Sequence, residues 1–145
     1  MKRKTTLLVA GLASASFAVG GAGVALASSS AASHTLKFTS VQTAQHSIGK
    51  YGFADSDKDV ANGKVIGYDV VNGTYNPKTS TITVDVAASL SGGILYGHGT
   101  GSLKTGKFKG KVTGGTGIFK GAEGTITGQA TGKHGQDEHL VVVYH

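Results

Sequence analysis

Residues 81–86 read Thr-Ile-Thr-Val-Asp-Val, so apolar and polar side chains alternate without a break. A period of two places alternate side chains on opposite faces of an extended strand, whereas a helix would repeat every three or four residues. On an apolar-inward assignment, Ile82, Val84 and Val86 share the inner face and Asp85 lies on the outer one. This stretch therefore predicts a β-strand with one buried face.

The same period recurs throughout residues 34–145. Turn-forming pairs such as Asn62-Gly63, Asn72-Gly73 and His134-Gly135 separate the alternating runs. Parallel strands need crossover helices, and no window of a dozen residues in this range carries a helical stripe, so we expect an antiparallel sheet. Glycines inside the predicted strands suit the bends of a small closed sheet. We predict an all-β fold, an eight-stranded antiparallel barrel whose interior is filled or holds one small ligand.

The start of the chain has a different character. Lys2, Arg3 and Lys4 precede an uncharged run that ends at Ala25-Leu26-Ala27. This is the layout of a secretory signal peptide, with small residues before the cleavage site. We expect residues 1–27 to be removed and residues 28–145 to form a secreted barrel domain with no membrane span; an uncleaved membrane anchor is the alternative. The sequence contains no Cys, so the domain must fold without disulfides.

The charge of the mature chain is modest. Loss of three of the 14 basic residues with the signal peptide leaves eleven, all of them Lys, against eight acidic residues. Lysine lacks the planar fork with which arginine recognises phosphates and bases. We therefore expect no nucleic-acid partner.

A glycine-rich segment at residues 112–124 reads Val-Thr-Gly-Gly-Thr-Gly-Ile-Phe-Lys-Gly-Ala-Glu-Gly. A tight turn between barrel strands needs glycine where φ is positive or where backbones approach closely. The segment resembles the Gly-Gly-Thr/Ser-Gly signature, followed by an aromatic residue, of plant dirigent proteins and allene oxide cyclases. Residues 91–97, Ser-Gly-Gly-Ile-Leu-Tyr-Gly, look like a segment of secreted bacterial proteins in this barrel superfamily. The matching signature residues are Gly114, Gly115, Thr116, Gly117 and Phe119.

The resemblance covers about residues 34–145 and implies an eight-stranded barrel with a hydrophobic cavity. A small hydrophobic molecule would bind there, and the barrel would steer its cyclisation or coupling as a cofactor-independent isomerase. Ser40 and Gln42 match a Glu and an Asn that act in allene oxide cyclases, so the carboxylate is absent here; Lys120 replaces an arginine of many dirigent proteins. A non-catalytic, lipocalin-like binding protein and a cell-envelope surface component are the alternatives.

Candidate site residues follow from the strand faces. If Ile94 faces inward, Tyr96 and His98 share its face, and an enclosed imidazole beside a phenol suits acid–base chemistry. A solvated His98 near the barrel rim is the alternative. Four further residues are expected to contact a ligand: Tyr68, Ile82, Val84 and Phe108.

Acidic residues are expected outside the barrel. Asp69 and Asp85 fall opposite the apolar face of their strands. They would turn inward only if the interior were the more polar face, as when oligomerisation buries the outer faces. The sequence leaves a homo-oligomer open.

Residues 55–59 read Asp-Ser-Asp-Lys-Asp, the spacing that begins an EF-hand calcium loop. Val60 and Ile66 stand where that loop needs Gly and Glu, so a solvated turn is the preferred interpretation. The histidines show no metal-ligand spacing. Phe108 replaces the Ser or Thr of the phosphate-loop pattern that begins at Gly101. We expect neither a metal nor a cofactor.

Overall fold

Eight antiparallel strands in sequential order close into a barrel in the computed structural model, which describes residues 32–132 and 136–145. Pairing of β1 with β8 closes the barrel, which removes the exposed edges of an open sheet. A three-residue 3₁₀ helix, Gly117–Phe119, follows β6. The predicted fold class is confirmed. The strands are β1 (His34–Ile48), β2 (Gly52–Ala61), β3 (Lys64–Asn76), β4 (Thr81–Leu90), β5 (Gly93–Ser102), β6 (Lys107–Gly115), β7 (Gly124–Thr131) and β8 (Asp137–Tyr144).

The signal peptide predicted at residues 1–27 and the turn predicted at His134-Gly135 lie outside the described residues, and both stay predictions. Within residues 32–132 and 136–145, no helix is long and apolar enough to cross a membrane.

Apolar side chains from six of the strands and from the β6–β7 connection meet inside the barrel. On β4 the alternation works as predicted, because Val84 is buried and Asp85 is exposed. Full burial of a side chain of this size contributes about 1.5 to 3 kcal/mol relative to leaving it in water. The buried core consists of Phe38, Val84, Leu95, Phe108, Val112, Phe119, Ala122, Ile126 and Val142.

The glycines of β5 decide which face of that strand points inward. A Cβ atom at Gly99 would lie 2.5 Å from the Phe108 ring, and one at Gly97 would lie 2.6 Å from the Ile126 side chain. Glycine at these two positions leaves the space that the neighbouring side chains fill. Tyr96 and His98 alternate with these glycines and therefore face outward. The inward orientation predicted for Tyr96 and His98 is wrong.

A bulge in β3 changes which of its residues face the interior of the barrel. Asp59 pairs with Gly67 and Val60 pairs with Val65, which leaves Ile66 as an extra residue. Ile66 packs against the core, but Tyr68 is 61% exposed and Asp69 only 3% exposed. The predictions that Tyr68 faces the interior and that Asp69 faces solvent are both wrong.

The glycine-rich segment forms the end of β6 and the connection from β6 to β7. Gly114 and Gly117 have positive φ angles of 137° and 59°. A Cβ atom at Gly115 would lie 2.5 Å from the carbonyl oxygen of Ile94. Thr116 fastens the connection to β5, since its Oγ1 accepts the Ile94 N–H at 3.0 Å and its own N–H donates to the Ile94 oxygen at 2.8 Å. Both reasons for glycine that the sequence suggested, positive φ and close approach, are present.

Candidate functional site

The barrel encloses a cavity of about 500 Å³. Its lining extends to one end of the barrel, where Leu103 and Gly106 of the β5–β6 connection and Gln136 before β8 contribute. Three of the four predicted ligand contacts, Ile82, Val84 and Phe108, line this cavity, whereas Tyr68 lies outside it. One side is apolar and is called the apolar wall below: Ile82, Val84, Val86, Ala88, Leu90, Leu95, Phe108, Ile126, Leu140 and Val142.

The other side of the cavity carries the acidic groups, together with the apolar and aromatic side chains of Phe38, Phe53, Val71 and Tyr75. Four carboxyl side chains line it, and a fifth, Asp59, is fully buried beside them. Together they are five of the eight acidic residues of the chain, so most of its carboxyl side chains are placed inside the barrel. This acidic cluster comprises Asp55, Asp57, Asp59, Asp69 and Glu138.

The strand register brings these carboxyl groups together. Asp57 on β2 is paired directly with Asp69 on β3. Ser40 on β1 is paired with Asp59 on one side and with Glu138 of β8 on the other. Like charges placed directly opposite each other destabilise a sheet, so this register has an energetic cost.

Ser40 is the centre of the hydrogen bonding in the acidic cluster. Its hydroxyl donates to Asp57 Oδ2 at 2.9 Å and lies 3.3 Å from Asp69 Oδ2. A hydroxyl has a single hydrogen to donate, so it satisfies one of these carboxyl groups at a time. Ser40 has no carboxyl group, but Asp57 and Asp69 on the neighbouring strands lie within hydrogen-bond distance of its hydroxyl.

A bulge in β1 adds two amide side chains to the same wall. The register shifts between Gln42 and Ala44, and the extra residue, Thr43, donates its hydroxyl to the Ser56 carbonyl at 2.6 Å. Because of this shift, Gln42 and Gln45 both line the cavity although their numbers differ by three. They supply amide groups beside Asp55.

Burial makes these carboxyl groups weaker acids than they are in water. It raises the pKa of Asp57 to about 7, and the charges of Asp69 and Asp55 add to the rise. Burial also raises the pKa of Glu138 to about 7, with further contributions from Asp57 and Asp69. The pKa values of Asp69 and its neighbour Asp59 are raised mainly by burial, and that of Asp55 is raised for the same reason. The cluster is therefore partly protonated near neutral pH.

Among the residues that the structure describes, no cationic side chain forms an ion pair with the acidic cluster. The one close contact there between a basic and an acidic side chain joins His98 and Asp85, on the outside of the barrel. Several buried oxygens of the cluster have no hydrogen-bond partner there, among them both oxygens of Asp59 and Oδ1 of Asp55, Asp57 and Asp69. Unpartnered buried acceptors are costly, at roughly 1 to 3 kcal/mol each.

Of the predicted catalytic pair, His98 lies away from this cavity, whereas Tyr96 contributes to the cavity lining beside Gly97 and is 38% exposed. His98 Nδ1 is 2.7 Å from Asp85 Oδ1, and the two side chains are 52% and 78% exposed. The alternative considered for His98 is correct in that the side chain is solvated, but His98 lies in the middle of β5 and not near the barrel rim. The outward prediction for Asp85 is correct. Tyr96 is on the same outer face.

The acidic cluster was missed because residues 55–59 suggested a solvated turn, and that prediction is wrong. These residues lie inside β2, where Asp55, Asp57 and Asp59 share the inward face. Their spacing of two was itself a usable signal, because it places all three on one side of a strand. Among the residues that the structure describes, no group of three or more His, Asp or Glu side chains has a geometry that could hold a metal ion.

The fold and the site together define a class: a small closed antiparallel barrel whose cavity has one apolar and one acidic wall. Among solved structures, this barrel is similar to that of pyocyanin demethylase, with a TM-score of 0.65 and 20% sequence identity over 77% of this chain and 100% of the other. No protein-family model and no curated protein matches the sequence. At this identity the likeness shows the fold alone. The narrower resemblance to allene oxide cyclases and dirigent proteins stays a prediction.

Proposed function

We propose that this barrel binds a small, largely apolar molecule in its cavity. The observation that carries the proposal is the 500 Å³ space lined on one side by ten apolar residues. Cavities of this size, mostly apolar with a few polar groups, are typical of small-molecule sites. Pyocyanin demethylase, which has the similar fold, is by its name a protein that acts on a small molecule.

Two neighbouring alanines on β4 allow a matched test. Ala88 is buried and lines the cavity, whereas Ala87 lies on the opposite face of the same strand. Ala88→Phe should occupy space in the cavity and weaken binding of a neutral probe, 1-naphthylmethanol, by about tenfold or more. Ala87→Phe should leave the affinity unchanged. The sequence contains no Trp, so naphthalene fluorescence reports binding without interference from indole.

Circular dichroism and thermal unfolding should first show that both phenylalanine variants are folded. Equal affinities of the wild type and Ala88→Phe would mean that the probe binds outside the cavity. Absence of probe binding by the wild-type protein at millimolar concentration would contradict the proposal.

A second candidate function is chemical conversion of the bound molecule without a cofactor. Asp57 and Glu138 favour it, because an acid with a pKa of about 7 can both donate and accept a proton near neutral pH. In that case the site is the acidic cluster, and not the pair Tyr96 and His98.

Conversion and simple binding are separated by one substitution. A molecule that co-purifies with the protein and is identified by native mass spectrometry should be converted by the wild type and about 100-fold more slowly by Asp57→Asn. Asp85→Asn, on the outer face, is the matched control and should keep the wild-type rate. Recovery of the molecule unchanged after incubation with the wild type would leave binding alone as the function.

A further inference from the structure

The charge of the cavity restricts what can occupy it. Its lining includes four carboxyl groups and one lysine, Lys107, which is exposed at the start of β6. None of the carboxyl groups forms an ion pair with a described residue. A carboxylate buried without a cation is held at the expense of folding stability, and a positively charged ligand would supply the missing partner.

The Asp69 carboxyl group has an oxygen without a hydrogen-bond partner in the described part of the chain. This side chain is 97% buried, lines the cavity, and has one oxygen, Oδ1, with no hydrogen-bond partner among the described residues. Oδ1 of Asp57, on the adjacent strand, also has no hydrogen-bond partner among the described residues. The strand pairing places these two residues directly opposite each other, so both carboxyl groups belong to one site. An ammonium group has three N–H donors and no acceptor, which matches such a site.

The two walls meet at the same position. Asp69 on β3 is paired with Ala88 on β4, and Ala88 is one of the apolar-wall residues. A molecule whose apolar part contacts the residues of β4 therefore brings its polar end against Asp69 and Asp57. The apolar wall beside these carboxyl groups favours an organic cation over an inorganic one.

We propose that the cavity selects a small apolar molecule that carries one positive charge, such as an amine, and holds that charge between Asp57 and Asp69. This inference rests on the proposed binding function and names the class of ligand. The apolar wall supplies most of the contact area, and the acidic cluster supplies the selectivity.

The preference should depend on pH. The groups that face Asp57 and Asp69 are Asp55 and Asp59 on β2, Glu138 on β8 and the uncharged Ser40 on β1; β4 contributes only apolar side chains, and Lys107 lies at the cavity end. Burial and mutual repulsion raise the pKa values of the acidic cluster. A bound cation favours the charged forms, so its binding releases protons and strengthens as the pH rises from 5.5 to 8.

Three probes with the same ring test the charge preference. At pH 8, 1-naphthylmethylamine, which is protonated throughout this pH range, should bind at least about tenfold more tightly than 1-naphthylmethanol, and 1-naphthoate should bind most weakly. At pH 5.5 the advantage of the amine should shrink to about threefold or less. Asp57→Asn should reduce the amine's advantage at pH 8, whereas Asp85→Asn should preserve it.

Each outcome separates the two proposals. Equal affinities for the amine and the alcohol would overturn the charge preference and leave the proposed binding function intact. Tighter binding of the amine that is insensitive to both pH and Asp57→Asn would place the charge recognition elsewhere and also overturn the inference. Failure of all three probes to bind would contradict the binding function together with the charge preference.

Discussion

The melting temperature of the barrel should fall by roughly 10 °C or more between pH 5 and pH 8. Each carboxyl group of the acidic cluster has a higher pKa in the folded barrel than in the unfolded chain, where the values are about 3.8 for Asp and 4.5 for Glu. The stability that these groups contribute is therefore complete below those values. For Asp59 it is lost as the pH rises through about 6, and for Asp57, Asp69 and Glu138 as the pH rises through about 7.

The size of the pH effect follows from the linkage of protonation to folding. One unit of pKa corresponds to about 1.4 kcal/mol, but interacting groups share their protons, so the separate shifts do not add. A loss of about 3 kcal/mol for the whole cluster, at several degrees per kcal/mol for a domain of this size, gives the expected change. Calorimetric melting curves at several pH values measure it directly.

Asp69→Asn identifies the cluster as the source of the pH effect. The amide is nearly the same shape and carries no charge, so the variant should lose less stability between pH 5 and pH 8 than the wild type. Asp85→Asn removes an exposed carboxylate and should leave the wild-type slope. A melting temperature that is flat or rises over this range in the wild type would show that the carboxyl groups are not held as weak acids.

Phe119→Ala should lower the free energy of unfolding by about 3 to 5 kcal/mol, the usual cost of deleting a buried phenylalanine ring. Phe119 is almost fully buried where the connection from β6 turns into the barrel. Its ring packs edge-to-face on Tyr144 of β8, with the centroids 5.6 Å apart. Removal of the ring thus removes this apolar contact between the β6–β7 connection and the last strand.

The neighbouring residue provides the control for this measurement. Ile118 is 73% exposed, and Ile118→Ala should change the free energy of unfolding by less than about 0.5 kcal/mol. Urea unfolding of the two variants and the wild type at pH 5 compares them where the acidic cluster is protonated. Similar losses for Phe119→Ala and Ile118→Ala would contradict the packing described here.

The sequence predicted the barrel but placed several side chains on the wrong face. Alternation shows that residues two apart share a face of a strand, but it does not show which face is inside. On β4 the choice was easy, since Thr83 and Asp85 alternate with apolar residues. On β3 both faces carry apolar residues, and the bulge at Ile66 interrupts the alternation.

The site was harder to predict than the fold because it runs against the usual rule that charges lie outside. The inward side of β5 consists largely of glycines, whose presence is explained by Phe108 and Ile126 on other strands. The packing that requires these glycines involves other strands and cannot be inferred from the β5 segment of the sequence alone. The pairing of Asp57 with Asp69 likewise depends on the β2–β3 register, which the acidic residues alone do not determine.

The two walls of the cavity come from different parts of the chain. β1 to β3 supply four of the five carboxyl groups, along with Phe38, Phe53, Val71 and Tyr75, while the apolar wall comes from β4 to β8. Substitution of the carboxyl residues in the first part can therefore alter the charge that a ligand must carry with little change in the shape of the pocket, and substitutions in the apolar wall can do the reverse. Changes at Asp69 and Ala88 couple, since these two residues are strand partners. Descendants of such a barrel could thus acquire new ligands by changing one property at a time.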